Sequence, residues 1–318
     1  MKHSEKDLID GINSGSRVSL SRLISLVESD KSAIFRISNL LKNKAKSTYV
    51  VGITGPPGAG KSTLTNRLIQ NFRSKKLSVG VLAVDPSSPF TGGAVLGDRI
   101  RMQEHALDDQ VFIRSIGSRG DLGGLSNSTS AIIKLFDSFG MDIVIIETVG
   151  VGQTELDIIK ISDCVLVTLV PEAGDGVQAM KAGLMEIGDV FIVNKADRGG
   201  ADKLAREIDY MISLKHTNSS WNTKVILAEA ENNVGIDEIV EQIESFKSYE
   251  EQNKLLEAKR NKRKITEIES LLLQKVKLEV EQLKKREEII NIISDASSGK
   301  IKTEEAVNLI FKFFKNGS

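Results

Sequence analysis

Lys61 stands in a setting that can hold phosphate. The run Gly55-Pro56-Pro57-Gly58-Ala59-Gly60-Lys61-Ser62, with Thr63 next, fits the pattern G-x-x-x-x-G-K-[ST]. Glycines let a chain wrap closely enough for its N–H groups to point at phosphate oxygens, and a helix starting at Lys61 would add positive potential there. Lys61 can then reach the β- and γ-phosphates of a nucleoside triphosphate, while the Ser62 hydroxyl can ligate the accompanying Mg²⁺.

A second group of residues can read a base. Asn194-Lys195-Ala196-Asp197 closes the apolar run Asp189–Val193. The Asp197 carboxylate can accept from both N1–H and the 2-amino group of guanine. Adenine offers an acceptor at N1 and no 2-amino group, and would leave that carboxylate unpaired. The Lys195 stem is expected to lie along the base, with Asn194 bracing the loop. GTP and GDP, rather than ATP, are the expected ligands. Glu229-Ala230-Glu231-Asn232-Asn233-Val234-Gly235-Ile236 falls where guanine-nucleotide proteins carry a Ser-Ala loop. Glu229 stands in the place of the serine, so contact from the backbone of Ala230 is the expectation.

Hydrolysis needs groups around the γ-phosphate. Glu147-Thr148-Val149-Gly150 ends an apolar run where many such proteins have Asp-x-x-Gly. Gly150 can donate its N–H to the γ-phosphate and Glu147 can hold a magnesium-bound water. Asp85, before Pro86, either reaches Mg²⁺ or its waters or simply opens an Asp-Pro turn. Gln153 lies three residues beyond Gly150 rather than one, so it is not assigned to orienting water. The polar stretch 171–188, with Asp175, Gly176 and Lys181, reads from spacing alone as solvated charge.

These residues must be carried by an α/β domain. Apolar runs Tyr49–Thr54, Ser78–Val84, Val111–Ser115, Asp142–Thr148, Asp163–Val170, Asp189–Val193 and Lys224–Ala228 alternate with amphipathic segments Lys61–Arg73, Ser126–Phe139, Lys203–Leu214 and Ile236–Phe246. That alternation predicts a mainly parallel sheet covered on both faces, with ligands at the carboxyl ends of the strands. Residues 1–46 carry apolar residues at helical spacing, among them Leu20, Leu23, Ile24 and Val27, and are expected to form a helical extension. The domain with the phosphate and base motifs is set at 47–248, followed by a C-terminal helical extension, 249–318. There Ile265, Ile268, Leu272, Val276, Val280 and Leu283 form a long stripe that must be buried against the main domain or another subunit. The charges around it read as a solvated face, and a break is expected at Ser297–Gly299.

The bulk numbers exclude other classes. Lys plus Arg and Asp plus Glu each total 43, so a chain of 318 residues carries no net charge to draw it to nucleic acid or an anionic membrane. Aromatic residues make up 5%, which argues against a base-stacking surface. The single cysteine, Cys164, is expected to be a buried strand residue in a reducing, cytoplasmic compartment. Three histidines and one cysteine offer no clustered His/Cys metal site. No apolar stretch reaches membrane-spanning length.

Longer strings narrow the reading. Val51–Leu64, Val84-Asp-Pro-Ser-Ser-Pro-Phe-Thr-Gly-Gly93, Leu96-Gly-Asp-Arg-Ile-Arg-Met102, Phe112-Ile-Arg114, Ile146-Glu-Thr-Val-Gly-Val-Gly-Gln153 and Met185-Glu-Ile-Gly-Asp189 resemble the methylmalonyl-CoA mutase-associated GTPases of the MeaB/ArgK type, over nearly the whole chain. The resemblance implies a homodimer joined through the C-terminal helices. It further implies a chaperone of an adenosylcobalamin-dependent acyl-CoA mutase, which gates cofactor loading and protects or reactivates the mutase. It places Asp85 and Glu147 at the magnesium site, and Asp175 and Lys181 in a switch loop that couples mutase contact to hydrolysis. Asp121, Gly176 and Glu229 depart from the family's usual residues. Other readings are a metallochaperone-type GTPase, disfavoured by the scarcity of His and Cys, and an ArgK-like transport-associated nucleotide hydrolase, without a membrane span to support it. A small-molecule kinase lacks an identifiable acceptor pocket and basic lid.

Overall fold

A computed structural model describes residues 4–30, 32–41, 47–85, 104–105, 107–117, 127–148, 154–171, 183–215 and 221–316. Contacts divide the chain into two compact units, Met1–Arg260 and Asn261–Ser318.

The first unit is built on seven parallel strands: β1 Tyr49–Thr54, β2 Val79–Asp85, β3 Val111–Gly117, β4 Ile143–Thr148, β5 Cys164–Leu169, β6 Val190–Asn194 and β7 Val225–Ala228. Their spatial order is β3-β2-β4-β1-β5-β6-β7, and every adjacent pair is parallel. The sheet is α/β as the sequence predicts. Every residue of β1, β4, β5 and β6 is buried, as it must be when helices cover both faces. Cys164 lies in this core, and burial pushes its thiol well above the ordinary range.

Among the described residues, helices cover both faces of the sheet. α4, Lys61–Ser74, follows β1 and buries Leu64, Leu68, Ile69 and Phe72 against the sheet, alongside Ile239, Val240, Ile243 and Phe246 of the helix Ile236–Gln252. On the other face Leu204, Ile208 and Ile212 of the helix Ala201–Lys215 pack on Val165, Val167, Phe191 and Val193. The N-terminal segment forms α1 Glu5–Asn13, α2 Arg17–Ser29 and α3 Ala33–Ser38, all three in contact with α5, Asn127–Phe139. Ser4 and Asp7 form a reciprocal capping box at the start of α1.

The strand edges follow local chemistry. The run expected to begin at Ser78 starts its strand at Val79, because the Ser78 N–H and hydroxyl both donate to the Asp142 carboxylate, at 3.0 and 2.9 Å.

The long C-terminal helical stretch is interrupted more often than its composition suggests. The helix Ile236–Gln252 ends before Lys254, whose φ of 57° no helix can continue. The next helix runs Leu255–Leu283, then Glu287–Ser297, and the expected break near Gly299 precedes Thr303–Asn316. Within the second unit Ile265, Ile268, Leu272 and Val276 are exposed on this single chain.

Around the stripe Lys262, Lys264, Glu269, Lys275, Lys277 and Glu279 are exposed, as a solvated face requires, and two charges just ahead of it are exceptions. Arg260 donates to Asp163 Oδ2 at 2.5 Å and to the Thr48 carbonyl at 2.8 Å, and Asp163 is 1% exposed. Lys259 donates to the Asp163 carbonyl and pairs with Glu250 at 3.4 Å. A charged helix residue is solvated only when no buried counter-charge lies within its reach.

Candidate functional site

β1 delivers the chain into the phosphate loop and α4 carries it away, so Gly55–Ser62 sits at the carboxyl end of the central strand. Gly60 holds φ +85°, and a Cβ there would stand 2.3 Å from Asn194 Nδ2. Only glycine allows this approach. Pro57 and Gly58 are exposed at the rim, Ala59 is buried, and Thr63 is half-buried in the first turn of α4.

Lys61 is buried and its ammonium donates to the carbonyls of Gly55 and Pro56, at 2.8 and 2.9 Å. Both acceptors belong to the loop itself, so the positive charge is held inside the ring of chain. Next to it, the Ser62 hydroxyl donates to Glu147 Oε1 at 2.5 Å and Thr65 Oγ1 donates to Oε2 at 2.9 Å. Glu147 comes from β4, which pairs with β1 so that Ile53 lies opposite Glu147. One carboxylate with two hydroxyls at the N-terminus of a helix is a hard, oxygen-only donor set, which suits Mg²⁺.

Asn194, at the end of β6, ties three loops together. Its side-chain amide donates to the Ala59 carbonyl at 2.8 Å and its carbonyl accepts from the Ala230 N–H at 3.0 Å. Lys195 follows with φ +58°, and Ala196 N–H donates to the Ala228 carbonyl at 3.0 Å. The turn leaves Lys195 half-buried and Asp197 exposed. The phosphate loop, the Asn-Lys-Ala-Asp loop and the turn after β7 therefore form one contiguous rim.

Asp85 is the last residue of β2, level with Gly117 and one residue beyond the Ala83–Glu147 and Val84–Thr148 pairs. Its backbone thus ends at the same edge of the sheet as Glu147. The side chain of Asp85, and all of Gly150, Gln153, Asp121, Asp175, Gly176 and Lys181, lie outside the described residues. Among the described residues no group of three or more His, Cys, Asp or Glu side chains is placed to hold a metal ion, and no helix is long and apolar enough to cross a membrane.

Thr65 and Arg67 were not singled out from the sequence. Thr65 follows Ser62 by three residues, a spacing that puts both hydroxyls on one face of α4. Arg67 reaches the turn after β7, and nothing local signals that contact.

The sequence matches the family described as Methylmalonyl Co-A mutase-associated GTPase MeaB over residues 20–285. A relative from Pyrococcus abyssi is 44% identical over 309 residues, covering 96% of this chain and 95% of its own. GTPase ArgK of Escherichia coli is 36% identical over 245 residues, 74% of each chain. The mouse protein named methylmalonic aciduria type A homolog, mitochondrial, is 33% identical over 332 residues, covering 97% of this chain and 79% of its own. Among solved structures, a LAO/AO transport system kinase shares the fold, with a TM-score of 0.70 at 24% identity and 99% of both chains covered. The chain thus belongs to the methylmalonyl-CoA mutase-associated GTPase MeaB family.

Proposed function

We propose that this GTPase serves as a nucleotide-timed chaperone of an adenosylcobalamin-dependent acyl-CoA mutase, gating cofactor loading and protecting the mutase. The observation that carries the nucleotide part is the Asn194 bridge. It sets the base loop against the phosphate loop at 2.8 Å, so that one ligand with a guanine at one end and phosphates at the other spans both. The mutase part is supported by the family's description and by the whole-chain likeness to the mouse homolog.

In this reading Gly55, Pro57, Gly58, Ala59, Gly60, Ser62 and Thr63 wrap the phosphates, and Lys61 exchanges the Gly55 and Pro56 carbonyls for phosphate oxygens. Asn194, Lys195, Asp197 and Ala230 take the base. Ser62, Asp85 and Glu147 hold Mg²⁺, which when bound offsets charge on the β- and γ-phosphates. Gly150 donates to the γ-phosphate. Asp175 and Lys181 belong to a switch that reports mutase contact. The C-terminal helices join two copies, whose exposed stripe Ile265, Ile268, Leu272 and Val276 calls for cover.

The test is GTP hydrolysis by the purified chain with and without a cobalamin-dependent mutase from the same organism. Strong stimulation and co-elution identify the client. Hydrolysis indifferent to every such mutase overturns the chaperone role and leaves the GTPase.

A further inference from the structure

One face of α4 is tied to the chain beyond β7 by side chains at four-residue spacing. Arg67 Nε donates to the Ala230 carbonyl at 2.9 Å and its Nη2 to the Glu231 carbonyl at 2.6 Å. Asn71 donates to Asp237 Oδ1 at 2.5 Å, and Lys75 to Glu244 Oε1 at 2.6 Å.

The turn that Arg67 grips needs an external hold. Glu229 and Val234 exchange backbone hydrogen bonds of 3.1 and 3.2 Å, and the Asn232 N–H closes on the Glu229 carbonyl at 3.0 Å. The Glu229 carboxylate is taken up inside the turn by Asn232 Nδ2 at 3.0 Å, so it does not brace the turn against the rest of the site. Ala230 is held from both ends: its N–H by Asn194 and its carbonyl by Arg67. In a planar trans peptide, fixing the Ala230 carbonyl also fixes the direction of the Glu231 N–H. The guanidinium suits this task because its rigid fork offers two donors to two neighbouring carbonyls, which a lysine ammonium on a flexible stem does not match.

We propose that Arg67 is a positioning residue for base recognition, aiming the Glu231 N–H of the turn after β7 at the 6-keto oxygen of guanine. This deepens the base-site reading above and rests on it. Asp197 reads the N1–H and 2-amino edge; the turn held by Arg67 reads the opposite substituent. Because Arg67 lies on the helix that begins at Lys61, the base turn is fixed to the same rigid element as the phosphate loop.

Two nucleotide ratios separate these roles in the full-length protein. Affinity for GDP over 6-thio-GDP reports the 6-position, since sulfur is a larger and weaker acceptor, while GDP over IDP reports the 2-amino contact of Asp197. In Arg67→Ala the first ratio is expected to fall by about tenfold and the second to stay within about twofold. Arg67→Lys, keeping one donor to one carbonyl, should recover part of the first ratio. If both ratios hold, whatever the overall loss of affinity, or if both collapse together, Arg67 is only a structural brace and the proposal falls. A wild-type protein indifferent to the 6-thio substitution also overturns it. Wild-type indifference between GDP and IDP would instead overturn the base-site reading itself.

Discussion

Ser62 Oγ and Glu147 Oε1 meet at 2.5 Å, across the gap between the first turn of α4 and the end of β4. Thr65 holds the other oxygen of the same carboxylate at 2.9 Å. A hydroxyl that leaves Glu147 to ligate a cation therefore does not release the carboxylate, because Thr65 still anchors it.

Glu147→Gln should keep the fold and weaken the cation's contribution to nucleotide binding. The expected outcome is a Mg²⁺-dependent gain in GDP affinity reduced by about tenfold or more, with binding in EDTA little altered. Titration calorimetry with and without Mg²⁺ checks it; an undiminished Mg²⁺ effect would remove Glu147 from the site.

Two glycines of the phosphate loop should respond differently to alanine. Gly58→Ala meets only the cost of a left-handed backbone at φ +77°, about 1–2 kcal/mol, with no atom within 4 Å of the new Cβ. Gly60→Ala bears the same cost and also drives into Asn194 Nδ2, at 2.3 Å. Gly60→Ala should thus lose nucleotide binding outright and Gly58→Ala only part of it, measured by GDP fluorescence titration. Equal losses would count against the Gly60–Asn194 approach.

Asp197→Asn exchanges an acceptor for a donor on the base edge. Xanthine nucleotides, with a keto group in place of the 2-amino group, should then be preferred, shifting the GDP-to-XDP ratio by at least about a hundredfold. Retained guanine preference would place base recognition elsewhere.

The strands, and the loops that Asn194 brings together, were legible because their constraints are local. The loop pattern has its glycines at fixed spacing within one short stretch, and a buried parallel strand needs a short apolar run, as in Val50–Ile53 or Ile143–Ile146. Contacts between distant stretches left no such mark. Thr65 meets Glu147 across 82 residues, Arg260 meets Asp163 across 97, and Arg67 meets Ala230 across 163. A threonine or arginine on an amphipathic helix reads as ordinary surface until the fold supplies its partner. The interruption at Lys254 was hidden for a related reason, since its φ of 57° occurs in a stretch without the glycine or proline that marks a turn.

Glu250 makes stability depend on pH. Burial pushes its carboxyl up to about 7, with Lys259 opposing the shift. The unfolded chain would ionise it near the ordinary value of about 4.3. Between those values the folded state binds the extra proton, so this group's contribution weakens as pH rises from about 4 through about 7. The wild type should lose stability relative to Glu250→Gln over that range, and urea unfolding at pH 5, 6, 7 and 8 measures the difference. A parallel pair of stability curves would show that Glu250 titrates normally.

The Asn194 bridge also bears on how the protein matures. It joins a loop after β1, a loop after β6 and a turn after β7, so that the last piece of the site is encoded at residue 230. Because such distant pairings form late and a growing chain emerges from its N-terminus, a nascent chain that has already made its phosphate loop still lacks the bracket that completes the rim. Nucleotide can stabilise the native state only once that bracket has closed. GDP retention on ribosome-bound chains of increasing length would accordingly begin only after the turn at Ala230 has left the exit tunnel, making nucleotide capture a report that synthesis of the sheet is complete.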